Sequence, residues 1–339
     1  MQEKNLSFNN YFNEWLYSKN GYYTKYKTIG KEGDFFTSVS TSSFFGGTIG
    51  KRVVNIIEDG FLEKDSTILE IGSHHGYLLA DMIQFIYTLS PNLLDTLEFA
   101  IVEKHPHLQT QQKEYINKCF GDTIKLKHYN DINEVNLSSA FVIANEIYDA
   151  FPCDLVYTED NVLKKAVVNN HSISFVKNDD IFLEYYCQQY KVTKGEIARG
   201  YEEFAFHLSK SIEKFEFITF DYGEKYPRND FSCRVYKNHD VFPLFDKEID
   251  LANLYQESDI TYDVNFQHII DSFEKNNIEC TMYETQLQAL VSFGIIELLE
   301  MLHQHVDEKS YLKEANKVKT LLNPTGMGDR FKMVSFRKN

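Results

Sequence analysis

The chain has 339 residues, 43% of them hydrophobic and 25% charged, the balance of an ordinary globular protein above single-domain length. Its 35 basic and 50 acidic side chains leave a net charge of −15, which repels a phosphate backbone at long range and argues against a general nucleic-acid binder. No apolar run reaches membrane-span length, the first residues lack a signal-peptide pattern, and Cys119, Cys153, Cys187, Cys233 and Cys280 form no CxxC pair, so buried thiols in a cytoplasmic, reducing compartment are expected.

In chain order, a helix is expected around Tyr11–Tyr17, then a glycine-punctuated polar loop from Gly21 to Thr37, then a helix through Ile49–Ile57. From Thr67 the pattern becomes alternating. A buried strand from Thr67 to Gly72 precedes a helix over Tyr77–Leu89, and a strand from Leu97 to Glu103 precedes a helix over Pro106–Cys119. Strands at Ile124–Tyr129 and Ala140–Asn145 follow. Strands alternating with helices at this spacing imply βαβ units and a largely parallel sheet. Residues 154–185 break the rhythm with short β-hairpins at Leu155–Tyr157, Lys165–Val168 and Ser172–Val176, read as an inserted subdomain. A helix near Glu203–Lys214 and a strand at Phe215–Asp221 restore the alternation. After a loop-rich stretch from Tyr222 to Asp263 come a helix over Phe266–Asn276, a strand at Glu279–Glu284, helices over Gln286–His303 and Glu308–Leu322, and a strand at Lys332–Arg337. The expected division is a helical cap with a lid loop (1–60), the first half of a core (61–153), a β-rich insertion (154–200) and the second half of the core with its own insertions (201–339).

Four strand ends carry the chemistry. The first runs Leu69-Glu70-Ile-Gly72-Ser73-His74-His75-Gly76 into a helix, a geometry in which glycines admit a ligand close to the backbone and the helix start offers free N–H groups. With Gly72 and Gly76 as its only glycines, the turn suits a pyrophosphate poorly. It suits adenosylmethionine better, since that ligand has no phosphate. The second strand ends at Glu103, an acceptor for two ribose hydroxyls or a plain solvated carboxylate. Asp131-Ile132 follows the third strand, where Asp131 would meet the exocyclic amine of an adenine and Ile132 would pack its ring. The fourth strand leads into Asn145-Glu146-Ile-Tyr148-Asp149-Ala-Phe151-Pro152. Two carboxylates there suit the fork of a guanidinium, and the competing reading makes Asn145 or Asp149 a cap of the next turn. Adjacent His74 and His75 diverge in a turn and have no third ligand, so no metal is expected.

The chain resembles the MidA family of methyltransferases. The resemblance runs from about Gly21 to Phe336. Its blocks are Gly21-Tyr-Tyr with Ile29 to Ser38, Phe45-Gly46 with Ile49-Gly50, Leu69 to Asp81, Asn145 to Pro152, Phe220 to Gly223 with Arg234 and Asp259 to Phe266, and Asn323 to Phe331. It implies a class I, Rossmann-like, seven-stranded α/β fold with an N-terminal cap and an inserted β-hairpin and helical substrate subdomain, and S-adenosyl-L-methionine as cofactor. It further implies a protein arginine as acceptor, in a respiratory complex I subunit for the mitochondrial member. By the same resemblance Gly33, Asp34, Thr37 and Ser38 form a lid near the cofactor, and Gly72 and Glu103 bind it. Glu70, Ser73, Gly76, Asp131, Ile132 and Asn145, at the same strand ends, are the further residues expected to bind it. Asn145, Glu146 and Asp149 serve the acceptor, and Asp221 and Tyr222 complete a wall. Where the family reads Glu-Leu-Gly-Pro-Gly-x-Gly, this chain has His74 in place of the middle glycine. That departure motivates an alternative, a methyltransferase fold without activity that acts as a binding or assembly factor. A protein partner is expected and a nucleic acid is not. The oligomeric state is open, with a homodimer as one option.

Overall fold

The computed structural model describes residues 5–25, 37–237 and 240–339. The chain forms two compact units, each assembled from non-contiguous segments. The sheet unit comprises Thr37–Glu146, Phe204–Asp221 and Phe273–Asn339, and the insert unit comprises Met1–Phe36, Ile147–Glu203 and Tyr222–Ser272.

The sheet unit is built on β1 (Thr67–Ile71), β2 (Glu98–Val102), β3 (Leu126–Tyr129), β4 (Leu137–Asn145), β5 (Ile212–Glu224, the last three residues counted with the insert unit), β6 (Glu279–Thr285) and β7 (Phe331–Lys338). Their order across the sheet is β3-β2-β1-β4-β5-β7-β6, with β1 to β5 parallel and β6 antiparallel to β7. The alternating pattern predicted the parallel sheet, and the family resemblance implied this α/β class I arrangement. Central β4 explains the run of apolar residues that announced it: Ala140–Ala144 are fully buried, as a parallel strand covered on both faces must be.

Helices α1 (Ser43–Glu58), α2 (Tyr77–Leu89) and α3 (Pro106–Phe120, with proline in its first turn) cover part of this sheet, and α4 (Gln286–Ser292), α5 (Ile295–His303) and α6 (Glu308–Leu322) follow β6. Glycines set how closely α1 approaches α2. A Cβ on Gly47 would lie 2.5 Å from the Phe85 ring, and one on Gly50 would lie 2.8 Å from the Met82 carbonyl oxygen. The helix expected over Gln286–His303 divides into α4 and α5 because Gly294 adopts φ +97° between them.

The insert unit holds the strands Cys153–Glu159, Val162–Asn169, Ser172–Lys177 and Lys194–Ala198, joined by Leu6–Ser7 through pairing with Val167 and Val168. Lys194–Ala198 was not expected as a strand. Residues 234–261, read as loop, contain a three-stranded sheet of Arg234–Lys237, Asp240–Pro243 and Asp259–Thr261. The helix Phe8–Tyr17 buries Phe8, Tyr11, Phe12, Trp15 and Leu16 in this unit, and Trp15 Nε1 donates to the Ser258 carbonyl at 2.7 Å.

The expected division at 60, 153 and 200 therefore needs correcting. Residues 37–60 belong with the sheet, because α1 buries its apolar face there instead of forming a cap. Residues 222–272 belong with the insertion, because their strands pair among themselves and Trp15 anchors on them.

Candidate active site

The sheet registers bring three of the predicted strand ends together. Ile71 is paired with both Val102 and Ala144, so Gly72, Glu103 and Asn145 are the next residues of three adjacent strands at the C-terminal edge. Strand order reverses between β1 and β4, and open α/β sheets bind their ligands in the crevice at such a switch point.

Gly72 is exposed and has φ +75°, a conformation glycine adopts without penalty. The turn after it is held from beneath. Glu70, 3% exposed, accepts a hydrogen bond from Ser73 Oγ at 2.7 Å, and burial pushes its carboxyl up to about 8 against the Ser73 hydroxyl and Leu79 N–H bonds that lower it. Glu70 and Ser73 thus brace the turn through each other. A carboxyl raised in the folded state binds its proton more tightly there than in the unfolded chain. Its contribution to stability is full below 4.5 and is lost as pH rises toward 8. Glu70→Gln carries no such charge, so urea unfolding should show it gaining on the parent as pH climbs through this window.

His74 keeps the glycine-like turn at a cost, with φ +48°. Its ring packs edge-to-face on His75 at 3.9 Å between centroids, and its carbonyl accepts Gln112 Nε2 at 2.8 Å. His74→Gly should raise unfolding stability by roughly 0.5–1 kcal/mol by relieving that backbone cost, read from denaturant midpoints.

Glu103 is 8% exposed. Its Oε1 accepts from the His105 N–H at 2.8 Å and its Oε2 lies 3.4 Å from Gln112 Nε2. Burial raises its carboxyl above the usual range while these donors pull it back. Gln112, fully buried, also binds His128 Nε2 through its Oε1 at 2.8 Å. One side chain thereby ties the glycine turn, Glu103 and β3 together. Gln112 was not anticipated, since nothing marks it among the polar positions of α3 except a burial that only folding reveals.

Asn145 Nδ2 donates to Glu146 Oε1 at 2.8 Å, and Asn145 Oδ1 is buried with no hydrogen-bond partner among the described residues. Glu146 has φ +53° and donates its N–H to the Phe220 carbonyl at 2.8 Å. Asp221, fully buried, follows that paired position on β5.

Other predicted residues are engaged locally. Asp131 Oδ1 accepts from Asn133 N at 2.9 Å and from Asn133 Nδ2 at 2.7 Å, capping the turn Ile132–Glu134, and the Ile132 carbonyl accepts Ser211 Oγ at 2.7 Å. Thr37 caps the short helix Ser38–Thr41, and Ser38 is fully buried with its hydroxyl on Gln286 Oε1 at 2.9 Å. Gly76 starts α2 with φ +80°. Gly33 and Asp34 lie outside the described residues. Asp149 lies in the insert unit, 5% exposed, and its Oδ2 accepts the Tyr222 hydroxyl.

A family model described as "Putative S-adenosyl-L-methionine-dependent methyltransferase" matches residues 48–284. The chain belongs to this family. As a methyltransferase of this family it uses S-adenosyl-L-methionine, and the sheet edge fits that group: an exposed glycine turn, a braced carboxylate at the end of β2, and a buried acceptor oxygen on Asn145 that has no donor among the described residues. It is 22% identical over 346 residues to the mitochondrial protein arginine methyltransferase NDUFAF7 of Danio rerio, covering 93% of this chain and 79% of the relative. The Drosophila melanogaster homologue is 23% identical over 355 residues, covering 93% and 77%. In fold, the chain matches a Burkholderia thailandensis protein solved with S-adenosyl-homocysteine bound. The TM-score is 0.84 at 20% identity, over 98% of this chain and 88% of that one.

Proposed function

We propose that this methyltransferase transfers the methyl group to an arginine side chain of a protein. The observation that carries the reading is Asp149, a carboxylate 5% exposed whose burial pushes it up to about 6, with the Tyr222 hydrogen bond and the Arg234 charge opposing that rise. Such a group gains most from a partner that arrives as a cation and keeps its charge, and a guanidinium does both. The relatives named protein arginine methyltransferases support the same acceptor. A respiratory complex I subunit is the first client to test, by resemblance, and the spacing of the five cysteines favours the cytoplasm as compartment.

In this reading Gly72 and the braced turn receive the amino-acid end of the cofactor, Asn145 Oδ1 accepts from its ammonium, and Glu103 accepts from its ribose hydroxyls. Bound adenosylmethionine supplies an electrophilic methyl group, so the chain's own task is to orient the acceptor nitrogen and exclude water. Asp149 holds the guanidinium, and a carboxylate takes the proton the nitrogen gives up.

The test is label transfer from tritiated adenosylmethionine into an extract of source cells lacking the protein, followed by acid hydrolysis. Labelled methylarginine is the expected product; label confined to other residues, or none, would sink the arginine reading. Asp149→Asn should lower transfer about 100-fold while cofactor affinity stays within about twofold, since it acts on the acceptor.

A further inference from the structure

Behind Asp149 the insert unit builds a relay that packing alone does not require. Tyr222, 7% exposed, donates its hydroxyl to Asp149, and the Arg234 guanidinium carbon sits 4.6 Å from the centroid of the Tyr222 ring. The arginine is held in that place on several sides. Its Nη2 donates to Asp263 Oδ1 at 2.6 Å, its Nε to the Tyr236 hydroxyl at 2.9 Å and its Nη1 to the Ser232 carbonyl at 3.5 Å.

We propose that Arg234 is a positioning residue for methyl transfer: clamped over Tyr222 by Asp263, it polarises the hydroxyl that grips Asp149 and so fixes Asp149 as the anion that receives the acceptor cation. The proposal rests on the reading of Asp149 as the acceptor's anchor. A cation over a phenol face draws electron density from the ring and makes its O–H a stronger donor to a carboxylate. Asp263 fixes the arginine in place, so the three groups act in series.

The surroundings of Asp149 show why a cation in this place matters. Besides Tyr222, Arg234 and Asp263, the groups that feel its charge include Tyr17, Tyr23 and Tyr262, three phenols that burial keeps protonated. The Tyr23 hydroxyl donates to Asp259, and Arg228 reaches Asp263 at 3.6 Å. Asp263 opposes ionisation of Asp149, and Arg234 supplies the positive charge that favours it. Removing that charge must therefore move the titration of Asp149 upward.

The experiment uses the full chain in two arms. In the first, infrared difference spectra follow protonation of the Asp149 carboxyl against pH, with Asp149→Asn as the reference that identifies its band. Arg234→Met and Tyr222→Phe should each raise the midpoint by roughly one pH unit, and Arg234→Lys by less. In the second, transfer of tritium from adenosylmethionine into the labelled acceptor fraction is followed against pH and acceptor amount. Arg234→Met should move the acid limb with the titration and raise half-saturation roughly tenfold, with cofactor affinity by calorimetry unchanged. If Arg234→Met does not fold, Tyr222→Phe decides, since it removes one oxygen atom from an intact core. An unmoved titration alongside an inactive Asp149→Asn overturns the relay and leaves the acceptor reading standing. An Asp149→Asn protein as active as the parent overturns the acceptor reading, and the relay with it.

Discussion

Replacing Glu216 by alanine should lower the unfolding free energy by about 3–5 kcal/mol, measured by urea denaturation at neutral pH. Glu216 is fully buried on β5 and accepts hydrogen bonds from Arg52 Nε at 2.8 Å, Arg52 Nη2 at 2.9 Å and Arg337 Nε at 2.7 Å. One carboxylate therefore ties α1, β5 and β7 together. Each arginine also rests on an aromatic ring, Arg52 on Phe293 at 5.4 Å and Arg337 on Phe61 at 4.1 Å, so neither can simply swing into water when the acid is removed. The cost comes chiefly from leaving two partly buried cations without their anion. Glu216→Gln keeps the shape and some of the hydrogen bonds and should fall between parent and alanine. A loss below about 1 kcal/mol would mean the arginines are solvated and the triad behaves as a surface ion pair.

Glu103→Ala should weaken S-adenosyl-L-methionine binding about 10- to 100-fold by calorimetry, the loss expected when a charged acceptor is removed from buried hydroxyl donors. The acid is positioned before any ligand arrives, since the His105 N–H and Gln112 fix its two oxygens. Gln112→Ala should therefore weaken binding as well, by a smaller factor, through a looser Glu103 and a looser glycine turn. Asp131→Ala is the informative contrast. Its Oδ1 already serves Asn133, so its loss should cost the turn Ile132–Glu134 more than it costs the cofactor. Equal affinity for parent and Glu103→Ala would remove Glu103 from the cofactor site.

Much of the sheet unit was legible in the chain. Apolar runs of strand length alternating with helix-length periodic segments, each bounded by turn residues, dictate a parallel sheet. Its strand ends at Gly72, Glu103 and Asn145 were identified before the registers showed them adjacent. That worked because a strand's end is written locally, in the residue where the apolar run stops. The lid residues fared differently. Thr37 and Ser38 stand beside a polar glycine-rich stretch and read as ligand contacts, yet Ser38 is buried on Gln286, 248 positions away.

By itself, then, the sequence determined the fold class, the order of elements and the residues at each strand end, because periodicity and turn chemistry act over a few neighbouring positions. Tertiary structure alone decided which segments assemble into which unit, that residues 37–60 join the sheet and 222–272 the insertion, and that Asp149, Tyr222 and Arg234 line up. It also decided that Asp131 and Ser38 serve their neighbours. A polar side chain's role depends on which donors and acceptors long-range packing brings within about 3 Å of it, and no local pattern records that choice.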